Sequence, residues 1–219
     1  MNELNNNGSI VHVDAYNREN GHVQSHTRSA PGSGSNGILE KSENSDEWFN
    51  MVVENTLFHE GGYEDRPHMI DRPTNRGIRQ PTLDSFRKRN PQLDFIYPTD
   101  VKDLTPEQTR YIYYHDYYKP YRIKEIKNKR IAEAVFDMHT MTGPIGVANI
   151  IQDSLITSGY QVKRDGTFGS ESIGALNKVS ANGDTHRFVD ILKGYRTKFL
   201  KELPTAKNNP GWFERTNSY

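Results

Sequence analysis

The sequence predicts a mainly α-helical protein, and three observations support this fold class. Apolar residues recur every three to four positions in several segments beyond residue 45, which is the period of a helix with one buried face. Two of these segments begin at a capping residue, and three end at glycine or before proline. Segments that alternate apolar and polar residues, as half-buried strands do, are sparse.

The first predicted helix covers residues 46–58. Ser45 or Asp46 can accept a hydrogen bond from its first turn, and Gly61-Gly62 ends it. An irregular hairpin is expected between Tyr63 and Ile78. The helix presents an apolar stripe made of Trp48, Met51, Val52, Val53 and Leu57.

The next predicted helix begins at a capping box. Thr105 can cap the helix, Pro106 suits its first position, and Gln108 can bond back to the cap. This helix should run to about Tyr118, before Pro120. The apolar spacing predicts further helices from about 131 to Gly143-Pro144, and at 145–155, 170–179 and 184–203.

Composition excludes several classes of protein. The 219 residues include 28 Lys and Arg against 28 Asp and Glu, so the formal net charge is zero. A nucleic-acid partner is not expected, since phosphate binding needs a basic surface. The absence of cysteine excludes disulfides and thiolate sites. Membrane insertion is not expected either, because a spanning helix needs about 20 apolar residues.

The chain divides into three predicted parts. Residues 1–44 are rich in Asn, Gly and Ser and read as a flexible polar tail, in which only Ile10–Tyr16 alternates like a short strand. This tail lacks the features of a secretory signal peptide. Residues 45–142 form a second predicted region, and residues 143–219 form a helical region expected to pack against it.

Glu60 is the sharpest candidate for chemistry. A carboxyl at the carboxy end of an apolar helix faces unpaired carbonyls and the negative end of the helix dipole, and both disfavour the anion. A protonated carboxylic acid is what a glycosidase uses to protonate a departing sugar oxygen. The residue pattern alone favours the other interpretation, a solvated glutamate at a helix end followed by a glycine cap.

No metal site and no cofactor are expected. His59-Glu60 lacks the second histidine of a zinc-protease helix, because Tyr63 stands where that histidine would be. Asp165-Gly-Thr-Phe-Gly169 lacks the alternating oxygen ligands of a calcium loop and reads as a turn before a helix near Ser170.

Residues 46–215 contain an ordered set of motifs: Glu60-Gly-Gly-Tyr63, Thr74-Asn75-x-Gly77-Ile78, Val101-Lys-Asp-Leu-Thr-Pro-Glu-Gln108, Tyr117-Tyr-Lys-Pro120, Ala134-Val-Phe-Asp137, Asp165-Gly-Thr-Phe-Gly169 and Gly211-Trp212 with Arg215. Their order resembles that of glycoside hydrolase family 108, the lysozyme-like N-acetylmuramidases, and implies that residues 45–142 are the catalytic region. From about Gly143 the chain resembles the partner region described as peptidoglycan-binding.

The resemblance implies a lysozyme-like helical fold with a small irregular hairpin after the catalytic Glu. It also implies cleavage of the β-1,4 bond between N-acetylmuramic acid and N-acetylglucosamine in peptidoglycan. Glu60 would be the general acid, and Thr74 would help a second carboxylate to hold the attacking water.

The loop before Thr74 departs from the family pattern. Met69 stands at the family's aspartate position, and Asp71-Arg72 replaces the usual glycine pair. In one reading Asp71 serves as the second carboxylate, with Asp65 as the less favoured substitute. In the other reading Glu60 acts alone, as in lytic transglycosylases, which leave a 1,6-anhydro end.

Predicted substrate contacts are Tyr63, Asn75 and Tyr118. A tyrosine ring can stack on a sugar face while its hydroxyl forms a hydrogen bond. Tyr118 stands where relatives often carry tryptophan, and Asn75 lies within the Thr74 motif.

A protein of another class stays open as an alternative, namely a catalytically silent wall-binding or structural protein. An enzyme made in the cytoplasm without a signal peptide would need a holin or a secretion system to reach the wall after export or lysis. A toxic effector would also need an immunity protein. Phage endolysin and secreted effector are both consistent with the sequence.

Overall fold

The computed structural model describes residues 17–18, 21–22, 46–65, 73–204, 206 and 209–218. The chain forms two compact units, Met1–Ser45 and Asp46–Tyr219. In the first unit, strands β1 (Asn17–Arg18) and β2 (Gly21–His22) pair in antiparallel fashion. The expected strand at 10–16 lies outside the described residues. No helix in the described part of the chain is long and apolar enough to cross a membrane.

Helix α1 (Glu47–Glu60) confirms the first predicted helix. The Asp46 carboxylate caps it by accepting a hydrogen bond from the Phe49 N–H at 3.1 Å. Gly61 leaves the helix with a φ of 66°, a conformation that glycine adopts without steric cost. The helix buries Phe49, Val52 and Val53 completely.

The expected hairpin is a three-stranded antiparallel sheet. Strand β3 (Tyr63–Glu64) pairs with β4 (Thr74–Asn75), which pairs with β5 (Ile78–Arg79). Arg76 and Gly77 form the two-residue turn between β4 and β5, with φ values of 49° and 76°. Positive φ at both positions identifies a type I′ turn, whose twist matches that of a hairpin.

Helix α2 (Gln80–Arg89) follows β5 directly and was not predicted from the sequence. Only Leu83 and Phe86 are buried on this helix, so its apolar stripe is too thin to reveal it. The Gln80 amide holds the next segment in place, since it donates to the Thr99 carbonyl and accepts from the Val101 N–H, each at 2.8 Å. Short 3₁₀ turns follow at Pro91–Leu93 and Val101–Asp103.

The helix predicted from 106 to 118 changes its period halfway. Helix α3 (Pro106–Ile112) begins with the predicted capping box between Thr105 and Gln108. From Tyr113 to Tyr118 the chain continues as a π-helix, in which residues bond five positions apart. The Lys119 N–H, for example, donates to the Tyr114 carbonyl at 2.9 Å. Such π segments are rare and are frequently found at functional sites.

The remaining helices build the core. Nearly every residue from Ile131 to His139 of the fourth helix is buried. This helix packs against α1, and the fifth packs against the seventh. The predicted mainly α-helical fold class is confirmed. These helices are α4 (Lys129–Met141), α5 (Pro144–Thr157), α6 (Ser170–Ala181), α7 (Thr185–Glu202) and α8 (Gly211–Thr216).

The segment 165–167, named here the Asp165 turn, precedes α6 as predicted. The buried amide of Gln152 closes it by donating to Asp165 at 2.8 Å and accepting from the Gly166 N–H at 3.0 Å. Asp165 also accepts from the Thr167 N–H at 2.9 Å. The turn is thus built from neutral donors around one exposed carboxylate.

Candidate active site

Glu60 is the last residue of α1, and its side chain is 17% exposed. The type I′ turn brings Gly77 against it. A Cβ atom on Gly77 would lie 2.4 Å from Glu60 Oε2 and 2.5 Å from the Tyr113 hydroxyl oxygen. Real Cβ atoms do not approach other heavy atoms so closely, so only glycine fits between the turn and the carboxyl group.

Tyr113, the first residue of the π-helix, forms one wall of this site. Its hydroxyl donates to the Arg76 carbonyl at 2.9 Å and lies beside the Glu60 carboxylate. Burial raises the pKa of Tyr113 well above its ordinary value, and the negative charge of Glu60 adds to the shift. The phenol therefore stays protonated and acts as a donor that fixes the turn.

Arg215 of helix α8 forms the opposite wall. Its guanidinium lies 2.5 Å from Glu60 Oε1 and also bonds Asp137 of α4, at 2.6 Å through Nε. Burial lowers the pKa of Arg215, but Asp137 and Glu60 outweigh this effect and leave the pKa raised. The guanidinium is thus permanently charged, and it stabilises negative charge on Glu60, which the sequence argument did not anticipate.

A second arginine completes the group of charges. Arg196 of α7 is 1% exposed and lies 2.8 Å from the other carboxylate oxygen of Asp137. Glu60, Arg215, Asp137 and Arg196 thus alternate in sign along one chain of contacts, named here the Glu60 cluster. Two negative and two positive charges balance, which is what allows such groups to be buried together.

Asp137 is too enclosed to act as the base that activates an attacking water molecule. Its side chain is 5% exposed and is enclosed by both arginines. The Thr56 hydroxyl adds a longer contact at 3.4 Å. Asp137 is therefore a structural acceptor.

The β-sheet positions Thr74 directly opposite Glu64, since these two residues form a register pair between β4 and β3. Cross-strand partners present their side chains on the same face of a sheet. Sequence reasoning did not consider Glu64. Asp65 is exposed just beyond β3, and Asp71 lies outside the described residues.

Two of the three predicted substrate contacts do not fit the structure. Asn75 is 1% exposed and donates its amide to the carbonyls of Val101, Lys102 and Leu104. Tyr118 is 2% exposed and packs edge-on against Phe49. We therefore assign both side chains structural roles, whereas Tyr63 is 46% exposed and stays a substrate-binding candidate.

Residues 53–143 match the family model described as Glycosyl hydrolase 108. This part of the chain is therefore similar to the glycosyl hydrolase 108 family. The structure of SagA from Brucella abortus is similar to this chain, with a TM-score of 0.62, 25% sequence identity, and coverage of 77% of this chain and 88% of SagA. A comparison with curated proteins finds no match. The family and the structural likeness support a peptidoglycan hydrolase of the lysozyme-like type.

The glycosyl hydrolase 108 match ends at residue 143, yet Arg215 lies beyond it and contacts Glu60. The helical region after residue 143 thus supplies one wall of the candidate active site. Nothing in the local pattern around Arg215 reveals this, because the contact spans 155 positions of the chain. Among the described residues, no group of three or more His, Asp or Glu could hold a metal ion.

Proposed function

We propose that the protein hydrolyses the β-1,4 bond between N-acetylmuramic acid and N-acetylglucosamine, with Glu60 as the general acid. One observation carries the proposal. The Glu60 carboxyl group is held between Gly77, Tyr113 and Arg215 and still keeps 17% of its side-chain surface open to a substrate.

The reaction consists of one proton transfer to the leaving group and one water attack. Glu60 gives its proton to the glycosidic oxygen as the bond to the anomeric carbon breaks. A water molecule attacks that carbon from the opposite face of the sugar, and a second carboxylate accepts the proton of this water. Thr74, on the sheet beside the acid, is proposed to hold the water through its hydroxyl.

Arg215 supports the proton transfer from Glu60. When Glu60 gives up its proton, it becomes a carboxylate, and the guanidinium already lies 2.5 Å from Oε1 to stabilise the new charge. The hydrogen bond from Arg215 to Asp137 fixes the position of the guanidinium. The acid is thereby held in one orientation, which favours reaction with a bound substrate.

Two carboxylates compete for the role of base. Asp71 is proposed from its place three residues before Thr74 in the sequence. Glu64 is proposed from the register of the sheet, which sets it opposite Thr74. Asp65, the less favoured substitute, is exposed at the edge of the same sheet and serves as a comparison residue.

Product analysis tests the proposal. Purified protein should release muropeptides with reducing N-acetylmuramic acid ends from sacculi. Glu60→Gln should lose this activity by at least about 100-fold, the usual contribution of a positioned acid. The matched control is Glu54→Gln, an exposed change on the same helix, which should keep full activity.

Anhydro ends detected by mass spectrometry would instead identify a lytic transglycosylase that uses Glu60 alone. Full activity in a folded Glu60→Gln variant would refute the assigned acid. Glu64→Gln, Asp65→Asn and Asp71→Asn, compared in the same assay, assign the base. The variant that folds but loses hydrolysis identifies it, and loss in none of the three would show that no carboxylate of this loop is required.

A further inference from the structure

A pocket lies along one side of α2, between this helix and the π-helix, and none of the groups described around Glu60 lines it. Its volume is about 480 Å³, and the proposed mechanism uses none of its residues. A sugar ring with its substituents is a ligand of suitable size for such a pocket. The lining residues are Pro81, Thr82, Ser85, Arg89, Asp116, Tyr117 and Pro120.

One side of the pocket is a polar stripe of α2. Thr82, Ser85 and Arg89 stand at positions i, i+3 and i+7, which share one helix face. The opposite side is the π-helix, where Asp116 and Tyr117 face this stripe. The pocket therefore offers hydroxyl groups, an aromatic ring and one ion pair.

The charges of the pocket are already matched with each other. Arg89 Nη2 lies 2.5 Å from Asp116 Oδ2. Because this pair is neutral as a whole, the pocket has no net charge to attract an ionic ligand. An uncharged ligand rich in hydroxyl groups can instead accept hydrogen bonds from the guanidinium and donate to the carboxylate.

The π-helix links the pocket to the candidate active site. Tyr113 at its start lies beside Glu60, and Tyr117, one turn later, lines the pocket. The two rings lie 5.6 Å apart between centroids. The two tyrosines are four positions apart and so lie along the same side of the helix, and π segments are frequently found at functional sites.

We propose that this pocket binds an N-acetylhexosamine unit of the glycan strand at a distance from the bond that is cleaved. The inference rests on the proposed function, because it assigns the pocket to the same substrate. Pro81 and Pro120 supply apolar surface for the ring face and the acetyl methyl group. Thr82, Ser85 and Asp116 supply the polar partners that fix the hydroxyls.

Binding of an N-acetylglucosamine hexamer tests the inference. Calorimetry is done on the Glu60→Gln protein, so that the ligand is not cut during the measurement. Adding Ser85→Trp fills the pocket and should weaken hexamer binding by about tenfold, which corresponds to the loss of about 1.4 kcal/mol. The matched control is Lys88→Trp, which adds the same side chain at an exposed position of α2 outside the pocket and should leave the affinity unchanged.

A second variant guards against misfolding caused by the large side chain. Arg89→Gln, at the exposed end of α2, keeps the pocket open but removes the ion pair and should also weaken binding of the hexamer. Equal affinity in Ser85→Trp, Arg89→Gln and Lys88→Trp would overturn the pocket assignment.

The same variants with Glu60 intact separate this inference from the proposed function. On sacculi, Ser85→Trp should raise KM more than it lowers kcat, because it removes binding remote from the reacting bond. A wild-type protein that cleaves sacculi, together with Ser85→Trp kinetics equal to those of Lys88→Trp, would refute only the pocket. A wild-type protein that releases no products, but binds the hexamer in a pocket-dependent way, would refute only the proposed function.

Discussion

The Glu60 cluster and the Asp165 turn satisfy their carboxylates in different ways. In the Glu60 cluster, two buried arginines compensate two carboxylates, and the contacts join α1, α4, α7 and α8. In the Asp165 turn, one exposed carboxylate accepts hydrogen bonds from the neutral amide of Gln152 and from the Thr167 N–H. A glycine with positive φ accompanies each of them. Gly77, at 76°, lies beside the Glu60 cluster, and Gly166, at 70°, lies within the Asp165 turn.

The two groups differ in how they compensate a carboxylate: the Glu60 cluster uses buried opposite charges, and the Asp165 turn uses neutral donors. Neutral groups close a turn without the desolvation cost of buried ions, and the Asp165 turn uses them. Taking charges out of water costs several kcal/mol per ion, and apolar packing often gives equal stability. The charges buried in the Glu60 cluster therefore support the catalytic role that is proposed for Glu60.

The largest expected effect comes from breaking the Glu60 cluster at its centre. Arg215→Met leaves Glu60 without its cation and Asp137 with Arg196 alone. Loss of one partner from a buried pair costs about 3–5 kcal/mol, so urea unfolding should show a drop of this size, together with a loss of activity on sacculi. The matched control is Arg164→Met near the Asp165 turn.

Arg164 pairs with Asp153 at 2.6 Å, but its side chain is 54% exposed. Surface pairs of this kind contribute less than about 1 kcal/mol, so the control should remain stable and active. Equal destabilisation of the two variants would contradict the contrast between the buried and the exposed charges.

An intermediate effect is expected from the two glycines. Alanine in a left-handed conformation costs about 1–2 kcal/mol, so Gly77→Ala and Gly166→Ala should both lower the melting temperature. Only at Gly77 does the new Cβ collide with Glu60, at 2.4 Å, whereas at Gly166 it meets an Ile145 methyl group at 3.3 Å. Hydrolysis should therefore be lost in Gly77→Ala and kept in Gly166→Ala. A fully active Gly77→Ala enzyme would show that the close approach is not needed.

The smallest effect at neutral pH involves His139 of α4, which contacts Phe168 next to the Asp165 turn. Its ring stacks on Tyr121 and meets Phe168 edge-on, and neither ring nitrogen has a hydrogen-bond partner among the described residues. Burial lowers the pKa of His139 from 6.5 to about 3. The unfolded chain therefore binds the proton more readily, and the free energy of unfolding falls as the pH drops from 6.5 towards 3.

His139 should contribute at most about 1.4 kcal/mol per pH unit to this loss. His139→Phe keeps the ring stack and removes the titration. Urea unfolding at pH 7 and pH 4.5 should then show a smaller loss of stability in the variant than in the wild type. Parallel losses in both proteins would assign the acid sensitivity to carboxylates alone.

The sequence predicted the long helices well because each carries its own apolar stripe, and α1 and α4 also begin at a capping side chain. Asp46, Gly61 and the capping box at Thr105 mark helix ends through local bonds, and the structure keeps all of them. Helix α2 was missed because it buries only two residues. The π-helix was missed because its wider period depends on packing of Tyr113 and Tyr118, which no local pattern records.

The candidate site was predictable only in part. Glu60 was identified as a candidate because it stands at a predicted helix end, in the motif Glu60-Gly-Gly-Tyr63. Asn75 and Tyr118 were misassigned as substrate contacts, because polar and amphipathic side chains are equally suited to bind sugars and to satisfy buried carbonyls. Glu64 was overlooked, since its relation to Thr74 depends on strand register.

The sequence by itself determined the helical class and the helix end that carries Glu60, the proposed acid, because caps and periodicity act over a few residues. Only the tertiary structure decided that Gly77 faces Glu60 and which charges meet it. Arg215 and Asp137 lie 155 and 77 positions from Glu60, and they reach its neighbourhood through the packing of α8 and α4. The energy between two charges depends on their distance in the folded protein, and separation along the sequence does not give that distance.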